Sequence, residues 1–471
     1  MRQTAAIALL ALRNALRSRV VLVLFLLLLA ASVWLPRVLR GDGTPEGLIR
    51  IHLVYVLGLS AFLLTLATLW AGCAAIAQEA DDKTLQLLLV KPVPRLRIWL
   101  GKWLALLLVN AVLLAFVGAV SAATLHRQLR RGGFDPAALA AARQTTLTAL
   151  DVHHAPLPDV EADVEAEYRA LRARGALPAG VSAAAVRDNL RRTLRARRCS
   201  VAPGASLAWD FGPFATPPGV LLVQFKCDSS VPGAADINAA LRLRIGGQTR
   251  AQTLRAMPGT AQTVVFGDLP PSVDGATVVF ENHGAHGATL FFDPAEGLVL
   301  RQPAGTFAGN LLRALAALWL RLALFAALGV TLGTFFSMPV ATFLAAVLVL
   351  ILQLSGFISA AAQVDRDTFV ANVAPFGAEA HGHGEAANAA KPSRAARAAA
   401  TGLFYVYRGT FLALRPLLED RTLDALSTGV RIPPRALARG LLVEVLLWPA
   451  ALAFFSTLVL RRREWALPQI N

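Results

Sequence analysis

The run Gln78–Lys102, QEADDKTLQLLLVKPVPRLRIWLGK, lies between two long apolar stretches, Ile51–Ala77 and Trp103–Thr124. Either stretch exceeds the roughly 20 residues that a helix needs to cross about 30 Å of hydrocarbon. Five residues of the run are basic, namely Lys83, Lys91, Arg95, Arg97 and Lys102. Such an excess marks the cytoplasmic side of a membrane protein. Leu85, Leu88 and Leu89 recur at helical spacing behind Glu79, Asp81 and Asp82, an acidic first turn that suits a helix dipole. Pro92 and Pro94 stop that helix. The spacing therefore predicts a short amphipathic helix on the inner face, tethered by a span at each end. A helix so placed is suited to fit a partner's groove and pass a push into the membrane.

Composition points the same way. The chain is 55% hydrophobic and only 16% charged, against about a quarter charged in average soluble domains. A formal net charge of +16 is not gathered into one basic patch with interleaved aromatics. The basic residues flank apolar runs or are scattered among acids, so the lipid bilayer is the expected partner and nucleic acid is not.

Working outward, residues 1–19 predict an interfacial amphipathic helix on the cytoplasmic leaflet, with Ile7, Leu9, Leu10, Leu12 and Leu16 against Arg13, Arg17 and Arg19. Residues 20–125 hold three spans, 20–35, 51–77 and 103–124, around the loop 78–102. A signal peptide is the rival reading of the first, since Ala30-Ala31-Ser32 resembles a cleavage region, but the 19-residue lead-in is long for one. Residues 310–362 hold spans 311–336 and 340–362, and 439–471 holds span 440–460 with the inner anchor Arg461-Arg462-Arg463. The fold class expected is a polytopic α-helical membrane protein of six transmembrane helices, with both termini inside.

Between the third and fourth helices, 126–309 reads as an extracytoplasmic α+β insert. Its 126–200 part is helical, at 136–150, 159–174 and 181–198. Its 201–309 part reads as short strands at 220–227, 240–245, 263–266, 277–281, 289–292 and 298–301. Leu241, Leu243 and Ile245 alternate with Arg242 and Arg244, as one buried and one wet face require. Gly, Pro and Asp between the strands suggest a β-sandwich of jelly-roll type. Residues 363–438 return outside, with an interfacial helix in 403–418 whose Arg408 and Arg415 argue against a span.

The stretch that opens this subsection also carries a resemblance. Glu79, Lys83-Thr84, the apolar run Leu85–Val90, Lys91-Pro92-Val93-Pro94-Arg95 and Gly101-Lys102 are similar in order and spacing to the first cytoplasmic loop of ABC-2-type transporter permeases. Pro94 stands where that pattern usually has Ser. Phe335–Ala341, FFSMPVA, is similar to the turn between the fourth and fifth spans of the same class. The resemblance implies the membrane subunit of an ATP-driven transporter in the bacterial cytoplasmic membrane, an exporter. Glu79, Asp82, Lys83, Thr84, Leu85, Leu88, Lys91, Pro92 and Arg95 would then couple to a separate ATPase subunit. It also implies a second permease copy or a homologous permease. The long insert keeps open a non-transporting module that passes ATP-driven motion to an envelope partner.

No G-x-x-x-x-G-K-[ST] string occurs, so no cofactor is expected on this chain and ATP would be bound by the partner. No H-E-x-x-H, G-x-S-x-G or paired-carboxylate pattern suggests catalysis. Arg321 and Glu444 fall inside apolar spans, where a charge is costly unless paired or wetted. They either meet and line a polar pathway or snorkel to the interface. Asn110 and Gln353 in other spans read as interhelical hydrogen bonds first and pathway residues second. Cys199 and Cys227 either remain free or form a disulfide, which would close a loop of about 28 residues and stabilise by on the order of 3 kcal/mol. His381-Gly-His383-Gly-Glu385 is read as a solvated loop and not as a metal site.

Overall fold

The computed structural model describes residues 2–17, 19–38, 43–84, 93–177, 183–233, 236–284, 287–353, 366–373, 394–418 and 422–462. The chain forms two compact units. Met1–Ala149, Gly305–Ser359 and Ala413–Asn471 make the first, and Leu150–Ala304 with Ala360–Leu412 the second. The stretch 363–438, expected as one external loop, is thus divided between them.

The first unit is built on helices. Among the described residues four are long and apolar enough to cross a membrane: Pro45–Asp81, Arg95–Arg131, Phe307–Phe335 and Pro434–Arg462. They contain nearly all of the spans expected at 51–77, 103–124, 311–336 and 440–460. The spans expected at 20–35 and 340–362 coincide with shorter apolar helices, Val23–Leu35 and Met338–Gln353, and residues 354–362 lie outside the described ones. Thr44 opens the first long helix, accepting from the Gly47 amide at 3.0 Å ahead of Pro45. Thr306 caps the third in the same way through Gly309, at 3.2 Å.

Lipid is as apolar as the side chains, so helices within it associate by close packing and hydrogen bonds. Pro45–Asp81 and Phe307–Phe335 meet at glycines. A Cβ at Gly72 would lie 2.8 Å from the Gly329 Cα, one at Gly329 2.6 Å from the Leu69 carbonyl oxygen, and one at Gly333 against the Cys73 carbonyl. Two tryptophans then join Phe307–Phe335 to Arg95–Arg131 in both directions. Trp103 Nε1 donates to the Ala323 carbonyl at 2.8 Å, and Trp319 Nε1 to the Leu107 carbonyl at 3.0 Å. Ser456 Oγ donates to Thr331 Oγ1 at 3.1 Å, adding Pro434–Arg462. Phe307–Phe335 is the central helix.

The second unit is β-rich. Its strands are β1 (Thr148–His154), β2 (Ser200–Val201), β3 (Ser206–Phe211), β4 (Leu221–Phe225), β5 (Cys227–Ser229), β6 (Ile237–Ile245), β7 (Gln248–Ala256), β8 (Gln262–Phe266), β9 (Ala276–Asn282), β10 (Leu290–Phe292) and β11 (Leu298–Thr306). They form three sheets, ordered β1-β11-β4-β8, β2-β10-β5 and β3-β9-β6-β7. In β6 the residues Leu241, Leu243 and Ile245 are buried while Arg242 and Arg244 are exposed. Gly246 and Gly247, at φ +53° and +75°, make the two-residue turn into β7, a turn that needs left-handed backbone at both positions. Phe225, Phe280, Phe292 and Trp209 meet edge-on or tilted in the core, with centroids 4.9–5.6 Å apart.

Local structure in and beside this unit departs from expectation at its start and in its strand count. The helix expected over 136–150 ends at Thr145, and Thr148–His154 is a strand, its β-branched start and buried Ala149 and Leu150 fitting a sheet. Strands β2, β3 and β7 stand where none was expected. The helices at 159–174 and 181–198 are observed as Glu161–Ala173 and Ala183–Arg198, paired through their charges. Glu161 meets Arg191 at 2.6 Å, Glu165 meets Arg187 at 2.6 Å, and Asp163 meets Arg198 at 2.8 Å. The hydrogen bond from Arg191 holds the Glu161 carboxyl below its usual range.

Of the two alternatives left open for Cys199 and Cys227, the structure has the free thiols, both buried. Phe292 pairs with Cys227 on one side and donates its amide to the Cys199 carbonyl on the other, at 2.9 Å. One strand therefore separates the two cysteines, by two strand spacings or about 10 Å, too far for a bridge that needs Cα atoms within about 7 Å.

Two outcomes test this packing. Gly329→Val should lower the amount of folded protein recovered from membranes several-fold, because overpacking of this kind costs about 1–3 kcal/mol or more. Gly402→Ala, where a Cβ meets nothing within 4 Å, should leave recovery unchanged. Burial pushes the Cys227 thiol up to about 11, so it stays protonated and unreactive at neutral pH. Thiol reagents should label Cys199 and Cys227 only after unfolding, and mass spectrometry without reductant should find both free.

Candidate functional site

The acidic turn expected to open the short helix instead closes the helix before it, while residues 85–92 of that expected helix lie outside the described residues. Glu79 and Asp81 stand in the last turn of Pro45–Asp81, which ends in a turn over Asp82 and Lys83. Ala74, Ala75, Ala77 and Ala80 carry the helix past the membrane run, since alanine is the strongest helix former. Lys83, at φ +58°, closes it. Its amide donates to the Ala80 carbonyl at 3.1 Å, and the Thr84 hydroxyl reaches the Glu79 carbonyl at 3.2 Å. Leu85, Leu88, Lys91 and Pro92 lie outside the described residues.

Carboxylates at a helix C-terminus oppose its dipole. Glu79 is offset by Lys102, whose Nζ lies 2.5 Å from its carboxylate and also donates to the Ala75 carbonyl. Lys102 is 4% exposed, and a buried ammonium is tolerated only when paired and hydrogen-bonded. Arg95, expected to couple to an ATPase, donates Nη1 to the Leu460 carbonyl at 2.6 Å, in the last turns of Pro434–Arg462. Arg97 donates to Gln3 at 2.5 Å, and a Cβ at Gly101 would strike Ile7. The basic half of the loop thus ties together the start and the end of the unit.

The four intramembrane polar residues separate into two places. Arg321 lines a cavity of about 220 Å³ with Gln353 and Thr65, and a second of about 120 Å³ with Glu444. Glu444 sits in a π-wound stretch, Leu441–Leu447. Asn110 is elsewhere. It accepts from the Thr68 hydroxyl at 3.0 Å, an interhelical bond, and lines a cavity of about 370 Å³ with Glu79, Asp82 and Lys102.

Sequence reasoning missed His52. It opens the other π-wound stretch, His52–Leu57, is 1% exposed, and places Nε2 3.0 Å from Ser121 Oγ. An ionisable residue within the apolar run IHLVYVLG was the available signal. Among the described residues no cluster of three His, Cys, Asp or Glu is arranged to hold a metal; His381–Glu385 lies outside them.

Long apolar helices, glycine crossings and a polar loop define a multi-pass helical membrane protein. Residues 5–140 match the family model described as ABC-2 family transporter protein, a part of the chain that includes the whole of the Gln78–Lys102 stretch. No curated protein matches the chain. Among solved structures it is similar to TmCBM61 in complex with β-1,4-galactotriose, at 14% identity over 22% of this chain and 68% of that one. The TM-score is 0.16, and a likeness at that level carries no argument.

The ion pair is open to a double-mutant cycle. Glu79→Gln leaves a buried ammonium without its counter-ion and should destabilise the unit by about 1–3 kcal/mol, less than a fully buried pair because Glu79 is half-exposed. Lys102→Met added to it should recover part of that loss, read as thermal stability in detergent.

Proposed function

We propose that this chain is the membrane-spanning permease subunit of an ATP-driven ABC-2-type transporter, working in export from the bacterial cytoplasmic membrane. The match over residues 5–140 carries the reading. A separate ATPase subunit would dock on the segment 79–90, with Asp82, Lys83 and Thr84 exposed at its start and Leu85, Leu88, Lys91 and Pro92 following. ATP-driven closure of that subunit would push this segment and tilt the helices joined to it. Arg321, Gln353 and Glu444 would give the route its polar lining, and a second permease copy or a homologue would complete the channel. Glu79 and Arg95 serve the push indirectly, by fixing the loop to the helices on either side.

The size of the β-rich unit favours a second reading, in which the same push moves that unit against an envelope partner without transport. Both readings place it outside the cytoplasm. Inverted vesicles containing this chain and its ATPase separate the two. Under the transport reading ATP drives accumulation of cargo, and Asp82→Arg lowers it at least tenfold at unchanged protein level. ATP-driven motion of the β-rich unit with no flux selects the second reading, and a chain that never co-purifies with an ATPase sinks both.

A further inference from the structure

We propose that the first unit holds one zwitterionic phospholipid, with its headgroup at Lys102 and Asp82 and an acyl chain along Leu24, Trp70 and Leu66. Two cavities carry this. The one of about 370 Å³ is polar at Glu79, Asp82, Lys102 and Asn110. Another, of about 340 Å³, is lined almost wholly by apolar side chains, among them Leu27, Leu63 and Leu66. Leu24, Ala67 and Trp70 line both. The two cavities therefore border one another at these side chains, one charged and the other apolar, and the lipid would run from the first into the second.

The chemistry of the charged end selects the occupant. Asn110 is 5% exposed, and its Nδ2 has no hydrogen-bond partner. A buried amide donor is destabilising unless an acceptor reaches it, and an ester carbonyl is such an acceptor. Lys102 has three N–H donors, of which Glu79 and the Ala75 carbonyl take two, leaving one for a phosphate oxygen. Two carboxylates, Glu79 and Asp82, outnumber the one ammonium in the lining, so the site favours a headgroup that also carries a cation. An ester, a phosphate, an ammonium and a hydrocarbon chain are together the parts of a zwitterionic glycerophospholipid. An anionic phospholipid with an uncharged headgroup alcohol, such as phosphatidylglycerol, lacks the cation, and a diacylglycerol lacks both charges.

The inference rests on the helices lying in a bilayer and not on ATPase coupling. It is tested on the full chain in detergent by native mass spectrometry, titrating phosphatidylethanolamine, phosphatidylglycerol and diacylglycerol of equal chain length. Phosphatidylethanolamine should bind at least tenfold more tightly than either of the others. Asp82→Asn alters an exposed side chain and should cut that preference at least fivefold with the fold intact. Asn110→Leu and Leu24→Trp should each weaken binding about tenfold. Equal binding of the three lipids, a preference for the anionic one, no lipid adduct at all, or a preference indifferent to Asp82→Asn would overturn the proposal. Failure of the bilayer reading would show separately, as protein released from membranes by an alkaline wash.

Discussion

Backbone contact at Gly72, Gly329 and Gly333 is the constraint on which the membrane unit depends. Removing a side chain lets two helices approach until dispersion between backbones replaces the missing hydrophobic drive. The contact also sets positions elsewhere. Arg321 stands eight residues before Gly329, about 12 Å along the helix axis, and Trp319 and Thr331 are on the same rigid rod. Fixing the crossing therefore fixes where Arg321 meets its cavities and where the Arg95–Arg131 and Pro434–Arg462 helices attach.

A second constraint follows at the loop. Glu79 and Lys102 come from the two helices that flank it, and their pairing clamps its two ends together. Arg95 fastens the same loop to the Leu460 carbonyl, so three long helices converge there. A push on the segment between, as the proposed coupling requires, reaches them as a group. A loop joined to one helix alone would bend that helix and leave the others in place.

Period and length made most of the membrane unit legible, because about 20 apolar residues have few alternatives to a spanning helix. What they did not fix was where a helix ends. Glu79 and Asp81 look like an N-terminal turn by charge, yet the alanines before them extend the preceding helix through both. In the β-rich unit, alternation exposed β6 but not β7, whose first six residues are all exposed and mostly polar, even though Gly246-Gly247 is a hairpin signal by itself. β1 was hidden because Ala-rich sequence on its N-terminal side reads as helix and tertiary burial of Ala149 and Leu150 decides otherwise. The cavity around Asn110 was not legible at all. It brings residues 11, 24, 68, 82, 102 and 110 together, and no local pattern links them.

The two units also use the same chemistry to opposite ends, which reflects the solvent each meets. Glu161–Arg191, Glu165–Arg187 and Asp163–Arg198 are half-exposed or exposed. Water and salt screen them, so each contributes little and their value is in aligning two helices. Lys102 is itself buried, is screened only through its half-exposed partner, and needs Glu79 and a backbone carbonyl to be there at all. Cysteine shows the same division. Cys199 and Cys227 fill space beside Phe292 in an aromatic core that needs no covalent tie, whereas Cys73 directs its thiol to the Ala341 carbonyl at 3.6 Å, between helices. Where water is absent even a weak donor is used for contact between helices; where apolar burial already drives packing, the same group serves as volume.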